Sequence, residues 1–477
     1  MYDAYVRDYA RWTPRAPAVV TPGRAVSYAE FDADIDRCAA ALTDLGVTPE
    51  SGVVSVLIEA PYLLLVVLAA LARLGVTSSP HNDDAADLRL TDVPAASAQP
   101  PVTLLTREWQ TDMFARPATP VPTREPDPDA IGRVMLSSGT TRTPRRVALT
   151  WRNLELRNLA TIRGYSPGRV GTWIPLVGVD AMMGVSCLMG AWSLGAALSG
   201  GLALRDIPAW LEALTPGVVA LTPNHLRQVL AVLPEGFQPQ PAWRLLCGGS
   251  LLPAALARDA RTRLSPDLRI VYGATEAGFS AFGHAADLER HPGTIGHPVA
   301  GSEVQIADDA GAPLPPGQSG RFRVRGRRVA DGYLGDPAAT AERFDADGWF
   351  DTGDIAHQLA DGRLILEGRA DDRLNLGGRK FMPAILEDAA FECPGVIDAA
   401  CFAVPAAETG LDQAWLAVVV PEGFDRDSLV AHLARRPDLP PLRLAWTDEI
   451  PRNAMGKVER ARLRDAVLGA LAAQHTS

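Results

Sequence analysis

VVSVLIEAPYLLLVVLAALARLG, residues Val53 to Gly75, decides the fold class. Val53 to Ile58 is a run of aliphatic residues broken only by Ser55, and it reads as a buried strand. Tyr62 to Leu74 reads as an apolar helix that Gly75 ends. A buried strand followed at once by an apolar helix is the repeating unit of an α/β fold with a mostly parallel sheet. Upstream, Ser27 and Glu30 form a capping box opening a helix that runs to Gly46. Downstream, a Pro-rich surface linker spans Arg116 to Pro128, and Gly132 to Leu136 forms another strand. Strand and helix signals alternate between about 150 and 280, with short buried strands at Val218–Leu221 and Leu268–Val271. From about 293 to 367 the texture changes to short strands between Gly/Asp/Pro turns, as at Glu303–Ile306, Gly320–Val324 and Gly362–Leu366. After Arg369 and the charged turn Ala370–Arg373 comes mixed α/β sequence with strands at Ala399–Val404 and Trp415–Val420.

The chain has 477 residues, a length that suits about three domains or subdomains. Hydrophobic residues at 47% and charged residues at 21% describe a globular chain, not a disordered one. A net charge of −10 supplies no global basic field, which argues against nucleic acid as the main partner. Cys38, Cys187, Cys247, Cys393 and Cys401 contain no CxxC pair. Neither a disulfide framework nor a zinc site is expected, and the cytoplasm is the expected compartment. The N-terminus, MYDAYVRDYARW, is charged and aromatic rather than signal-like. The uncharged run Ala181–Leu204 is long enough to span a bilayer. It is crowded with glycine, so we read a buried helix followed by a buried strand and expect no membrane span. Of 46 basic Lys and Arg residues, only Lys380 and Lys457 are lysines. In a chain that uses arginine wherever a guanidinium serves, the lysines become candidates for work that needs a compact ammonium.

Five segments carry candidate chemistry, and each also has a plain structural reading. Leu136–Arg146 feeds a strand into a loop of small hydroxyl residues, a cradle for polyphosphate or simply a Ser/Thr-rich turn. Val271–Glu276 ends a strand with an aromatic, a glycine, a hydroxyl and a carboxylate. Tyr272 there suits stacking on a purine and Glu276 suits Mg²⁺ beside phosphate, with a strand cap as the alternative. Gly348–Asp354 places a carboxylate after a tight Thr-Gly turn, suited to the two hydroxyls of a ribose or to solvent. Gly368–Lys380 reads by itself as a charged surface linker, and Pro451–Val458 puts Lys457 on a Gly-containing loop.

In this order and spacing, the segments resemble the adenylate-forming superfamily of acyl-CoA synthetases, nonribosomal-peptide adenylation domains and luciferases. Gly320–Gly326 and Gly332–Tyr333 resemble the family's glycine-tyrosine segment, and the likeness runs from about Ser27 to Lys457. It implies a large N-terminal adenylation domain over residues 1–370, built of sheets flanked by helices, with a β-rich part at about 293–367. It also implies a small mobile α+β C-terminal domain over residues 371–477 that carries the catalytic lysine and hinges at Asp371. The implied reaction has two steps. A carboxylate attacks the α-phosphate of ATP, giving an acyl-adenylate and pyrophosphate, and a thiol of CoA or of a carrier protein's phosphopantetheine then takes the acyl group.

Residue by residue, the resemblance assigns Ser137, Ser138, Gly139, Thr140 and Thr141 to the β- and γ-phosphates. It assigns Gly248, Gly249, Ser250, Tyr272 and Gly273 to the adenine site, and Asp354 with Arg369 to the ribose. Thr275 and Glu276 would meet the α-phosphate and Mg²⁺. Lys457 would bridge the acid and the α-phosphate as charge develops. Gly378 and Lys380 fall where relatives line the acceptor tunnel, with a surface charge as the alternative for Lys380. Asp180, Met182, Met183 and Ala274 fall at the acid pocket.

Two departures stand out. The phosphate loop carries Arg142 and Arg146 where the family pattern has glycine, which implies a differently ordered loop or altered ATP binding. The segment after Pro175-Leu176 has no histidine and instead offers Asp180, as a partner for a substrate amine or as the N-cap of the next helix. Met182, Met183, Ser186 and Cys187 suggest a compact apolar wall and hence a small or aromatic acid. An alternative reaction hands the activated acid to an amine, or activates an inorganic acid such as nitrite. A non-catalytic relative that kept the fold is a further alternative. The chain ends about twenty residues past Lys457, so no fused carrier domain is expected.

Overall fold

The computed structural model describes residues 2–94, 100–122, 127–137, 144–165, 170–376, 379–405, 412–437, 439–452 and 457–475. Val53–Leu57 is a strand in the middle of a six-stranded sheet, parallel to Leu88–Thr91 on one side and Thr77–Pro80 on the other. Its central three residues are buried, which is why no polar alternation marks it. The following helix, Pro61–Leu74, buries ten of its residues and ends at Gly75 in the left-handed conformation. The capping box is formed at helix Tyr28–Asp44. The Ser27 hydroxyl accepts from the Glu30 N–H, and the Ser27 N–H donates to the Glu30 carboxylate at 2.9 Å. The sheet ends with Ile131–Leu136 beside antiparallel Arg146–Thr150, the two strands that flank the Ser/Thr-rich segment.

A larger sheet has a parallel centre of Thr172–Pro175, Val218–Leu221, Arg244–Gly248 and Leu268–Ala274. Gly278–His284 returns antiparallel, and Thr294–Pro298 joins it to Leu364–Arg369, Phe350–Gln358, Gly320–Arg325 and Glu303–Ala307. The β-rich stretch is thus hydrogen-bonded onto the parallel strands rather than stacked as a separate layer. The uncharged run forms helix Met182–Ser193 and then strand Ala197–Ser199. Among the described residues, no helix is long and apolar enough to cross a membrane. All five cysteines are free and buried.

After Arg369, the chain builds its own sheet of Asp398–Pro405, Asp412–Val419 and Leu442–Trp446. Alternate residues face alternate helices. Ala399 and Cys401 pack with Leu386 and Leu429, whereas Ala400 and Phe402 pack with Leu463 and Val467. Each face has its own apolar cluster, so this segment has a core distinct from the two that stabilise the preceding sheets.

Candidate active site

A cavity of about 620 Å³ lies where the large sheet, the β-rich strands and the C-terminal segment meet. Its wall brings together Ser137, Gly248–Ser250, Tyr272–Glu276, Asp354, Arg369, Asp371 and Lys457, residues up to 320 positions apart. Asp180, Met182 and Met183 line the same cavity. Ser138, Gly139, Thr140, Thr141, Arg142 and Gly378 lie outside the described residues. The backbone of Lys380 pairs with Asn375 in a two-stranded ribbon.

Each wall element is held from behind. Asp354 follows the Thr-Gly turn, where the Thr352 hydroxyl donates to the Phe322 carbonyl at 2.8 Å and accepts from the Asp354 N–H at 3.1 Å. Gly353 has φ +75°, and any Cβ there would lie 2.9 Å from the Arg369 guanidinium and 2.7 Å from that of Arg343. Only glycine permits both that backbone and that approach. Arg369, opposite Asp354 on the neighbouring strand, donates to its carboxylate at 3.3 Å and to the Thr352 carbonyl at 2.9 Å. The Tyr272 hydroxyl donates to the other Asp354 oxygen. Burial pushes Asp354 above the ordinary carboxylate range, and the Arg369 charge opposes that shift.

Lys457 sits in the same electrostatic neighbourhood. Burial lowers its ammonium below the usual lysine value, Asp354 and Glu276 oppose that, and Arg369 adds to it. Glu276 is only 7% exposed, and its carboxylate accepts from the Tyr333 hydroxyl at 2.8 Å. The residues fit Mg²⁺ of one kind. Among the described residues, no group of three or more metal-ligating side chains forms a protein cage. A single carboxylate facing the cavity suits an ion held largely by oxygens of a bound phosphate.

Two supports, Arg157 and Asp83, escape the sequence reading, and a third, Tyr333, is read there only as part of the glycine-tyrosine segment. Arg157 is buried behind the Thr275–Glu276 turn, donating to the Thr275 carbonyl at 2.7 Å, the Glu276 carbonyl at 2.8 Å and the Arg328 carbonyl at 2.7 Å. Tyr333, placed by the glycine-tyrosine segment, fixes Glu276 and carries the Arg145 guanidinium 5.1 Å from its ring centroid. Asp83 takes up the unexpected Arg146, at 3.1 Å. Arg146 therefore lies in a strand and does not enter the loop's turn, and the loop ends close through Ser137 N–H to the Arg145 carbonyl at 2.8 Å. Arginine is so common in this chain that Arg157 does not stand out in the sequence.

At the acid end, Asp180 is not a helix cap. The N-cap of Met182–Ser193 is Ala181, with no side-chain capping bond. The carboxylate folds back over Gly178, with Oδ1 2.3 Å from where a Gly178 Cβ would lie. Nor does Asp180 stand alone electrostatically. Arg133, buried in strand Ile131–Leu136, feels its field and donates to the Val179 carbonyl at 2.6 Å.

The family model for AMP-binding enzymes matches residues 6–334. A feruloyl-CoA synthase of Amycolatopsis is 30% identical over 95% of this chain and 96% of its own length. An indoleacetate–CoA ligase of Aromatoleum aromaticum is 28% identical over 97% of both chains. The anthranilate CoA ligase AuaEII, solved with anthranoyl-AMP, superposes with a TM-score of 0.87 at 20% identity, over 98% of both chains. The chain belongs to the AMP-binding enzyme family, the adenylate-forming enzymes. It is an AMP-forming ligase that uses ATP to activate an acid as an acyl-adenylate.

Proposed function

We propose that the acid is small or aromatic and carries a hydrogen-bond donor, and that CoA or a carrier-protein phosphopantetheine is the acceptor. The observation that carries the reading is the burial of Lys457 in one cavity with Glu276, Asp354 and Arg369. In this reading Tyr272 and Gly248–Ser250 hold the adenine, Asp354 with Arg369 holds the ribose, and Thr275 faces the α-phosphate. Glu276, with the nucleotide, would hold Mg²⁺, which would supply neutralisation of phosphate charge. The acid's oxygen attacks the α-phosphorus and pyrophosphate leaves. The Lys457 ammonium meets the charge that gathers between acid and phosphate, where a preorganised cation contributes most. The free thiols suit a reducing compartment, the cytoplasm.

Support for the acid's chemistry comes from its pocket. Met182 and Met183 narrow it, and Asp180 offers an acceptor beside an apolar wall. The same carboxylate favours a second reading, in which an amine is the acceptor. ATP–pyrophosphate exchange across a panel of small and aromatic acids, with and without amino groups, tests the first half-reaction. Adding CoA, phosphopantetheinylated carrier protein or an amine to the best acid decides the second. Exchange with no acid in the panel would overturn the reading.

A further inference from the structure

Arg227 has no countercharge of its own on the helix that carries it. It lies on helix Pro223–Ala231, packed against the parallel strands, and is largely buried. The carboxylates that bear most on its charge, Asp398 and Glu387, both lie beyond Asp371. Its guanidinium is 3.5 Å from Asp398 Oδ1 and 4.7 Å from the centroid of the Phe391 ring. Asp398 is in turn gripped by Arg452, whose Nη2 donates to its two oxygens at 2.8 and 3.0 Å. Arg452 and Val458 form a backbone bridge, and the Glu459 N–H donates to the Pro451 carbonyl at 2.9 Å, so the stems of the Lys457 loop are stitched together. A continuous path of contacts runs from the body through Arg227, Asp398 and Arg452 to the loop that delivers Lys457.

We propose that Arg227 is a positioning residue for adenylation. By sharing Asp398 with Arg452 and stacking on Phe391, it holds the C-terminal segment where Lys457 reaches the cavity. A buried guanidinium stripped of these partners is costly, so the contact disfavours any arrangement that withdraws Lys457. Arg227 touches neither nucleotide nor acid in this scheme. Its effect therefore falls on the step that needs Lys457 and spares the acceptor step. The inference rests on the two-step reading above.

Three measurements on the full chain test it. Arg227→Gln should lower kcat for ATP–pyrophosphate exchange about tenfold, the scale of a catalytic group held slightly out of place, with KM for ATP moved less than about twofold. Thiol transfer from supplied acyl-adenylate should be unchanged or faster. Tryptic cleavage after Arg369 or Arg373 should speed up severalfold, and this readout needs no activity. Asp398→Asn should behave likewise, the double variant should be no worse than the poorer single one, and Arg227→Lys should recover part of the exchange rate. Equal loss in both half-reactions, additive losses in the double variant, or wild-type cleavage kinetics would overturn the proposal. If Arg227→Gln fails to fold, Arg227→Lys and Asp398→Asn carry the same comparison. Absence of exchange in the wild type, with cleavage accelerated in the variants, would instead remove the two-step reading and leave the contact standing.

Discussion

At the residue scale, the chain separates the job of being a cation from that of being an ammonium. Arginines 157, 369 and 227 hold carbonyls and carboxylates in fixed forks, whereas Lys457 presents a compact charge to the cavity. Lys457→Ala should lower the exchange rate by at least about 10²-fold with a smaller effect on ATP binding, because the lost contact is made mainly in the transition state. Near-normal exchange by the alanine variant would remove the lysine from the mechanism. Asp180→Ala should narrow the preference for donor-bearing over donor-free acids roughly tenfold in relative kcat/KM, with ATP affinity unchanged. Gly178→Ala should shift the ranking the same way, since its methyl would displace the carboxylate. An unaltered acid ranking in both would mean that Asp180 does not meet the acid.

Among the elements, helix Pro383–Phe391 carries a pH-sensitive group. Burial and the neighbouring Glu387 and Glu392 push Asp388 up to about 7, and Arg436 opposes them. The folded state therefore holds this proton more tightly than the unfolded chain. Its stabilising contribution is complete below about pH 4, the ordinary carboxylate range, and is lost as pH rises through about 7. Asp388→Asn should flatten that dependence and leave the variant more stable than wild type at pH 8, by on the order of 2 kcal/mol. Parallel denaturation midpoints for the two proteins from pH 4.5 to 8 would contradict this.

On the scale of the whole molecule, the last hundred residues have their own two apolar clusters and meet the preceding sheets across a cavity wall. A segment built this way can move as a body if a few backbone torsions allow it. Asp371 stands at the turn that follows Arg369, where the Ala370 N–H still donates to the Gly353 carbonyl. Asp371→Pro, which fixes φ and restricts Ala370, should arrest one half-reaction and spare the other. Equal impairment of exchange and thiol transfer, at unchanged melting temperature, would argue against a hinge.

Local sequence determined much of this protein. The strand and helix of Val53–Gly75, the capping box of Ser27 and Glu30, and the order of the five motifs are consequences of neighbouring residues, and they point to adenylate-forming chemistry from one chain alone. Side-chain directions and long-range partners were decided elsewhere. Asp180 read as a cap or a pocket residue, and only the packing of Gly178 and Arg133 around it excludes the cap. Arg157 and Arg227 act on residues 119 and 171 positions away, and in an arginine-rich chain nothing local marks them. A turn or a cap is specified by bonds within a few residues. A buried charge is tolerated only where distant segments bring its partners, and that requirement is met only by the assembled fold.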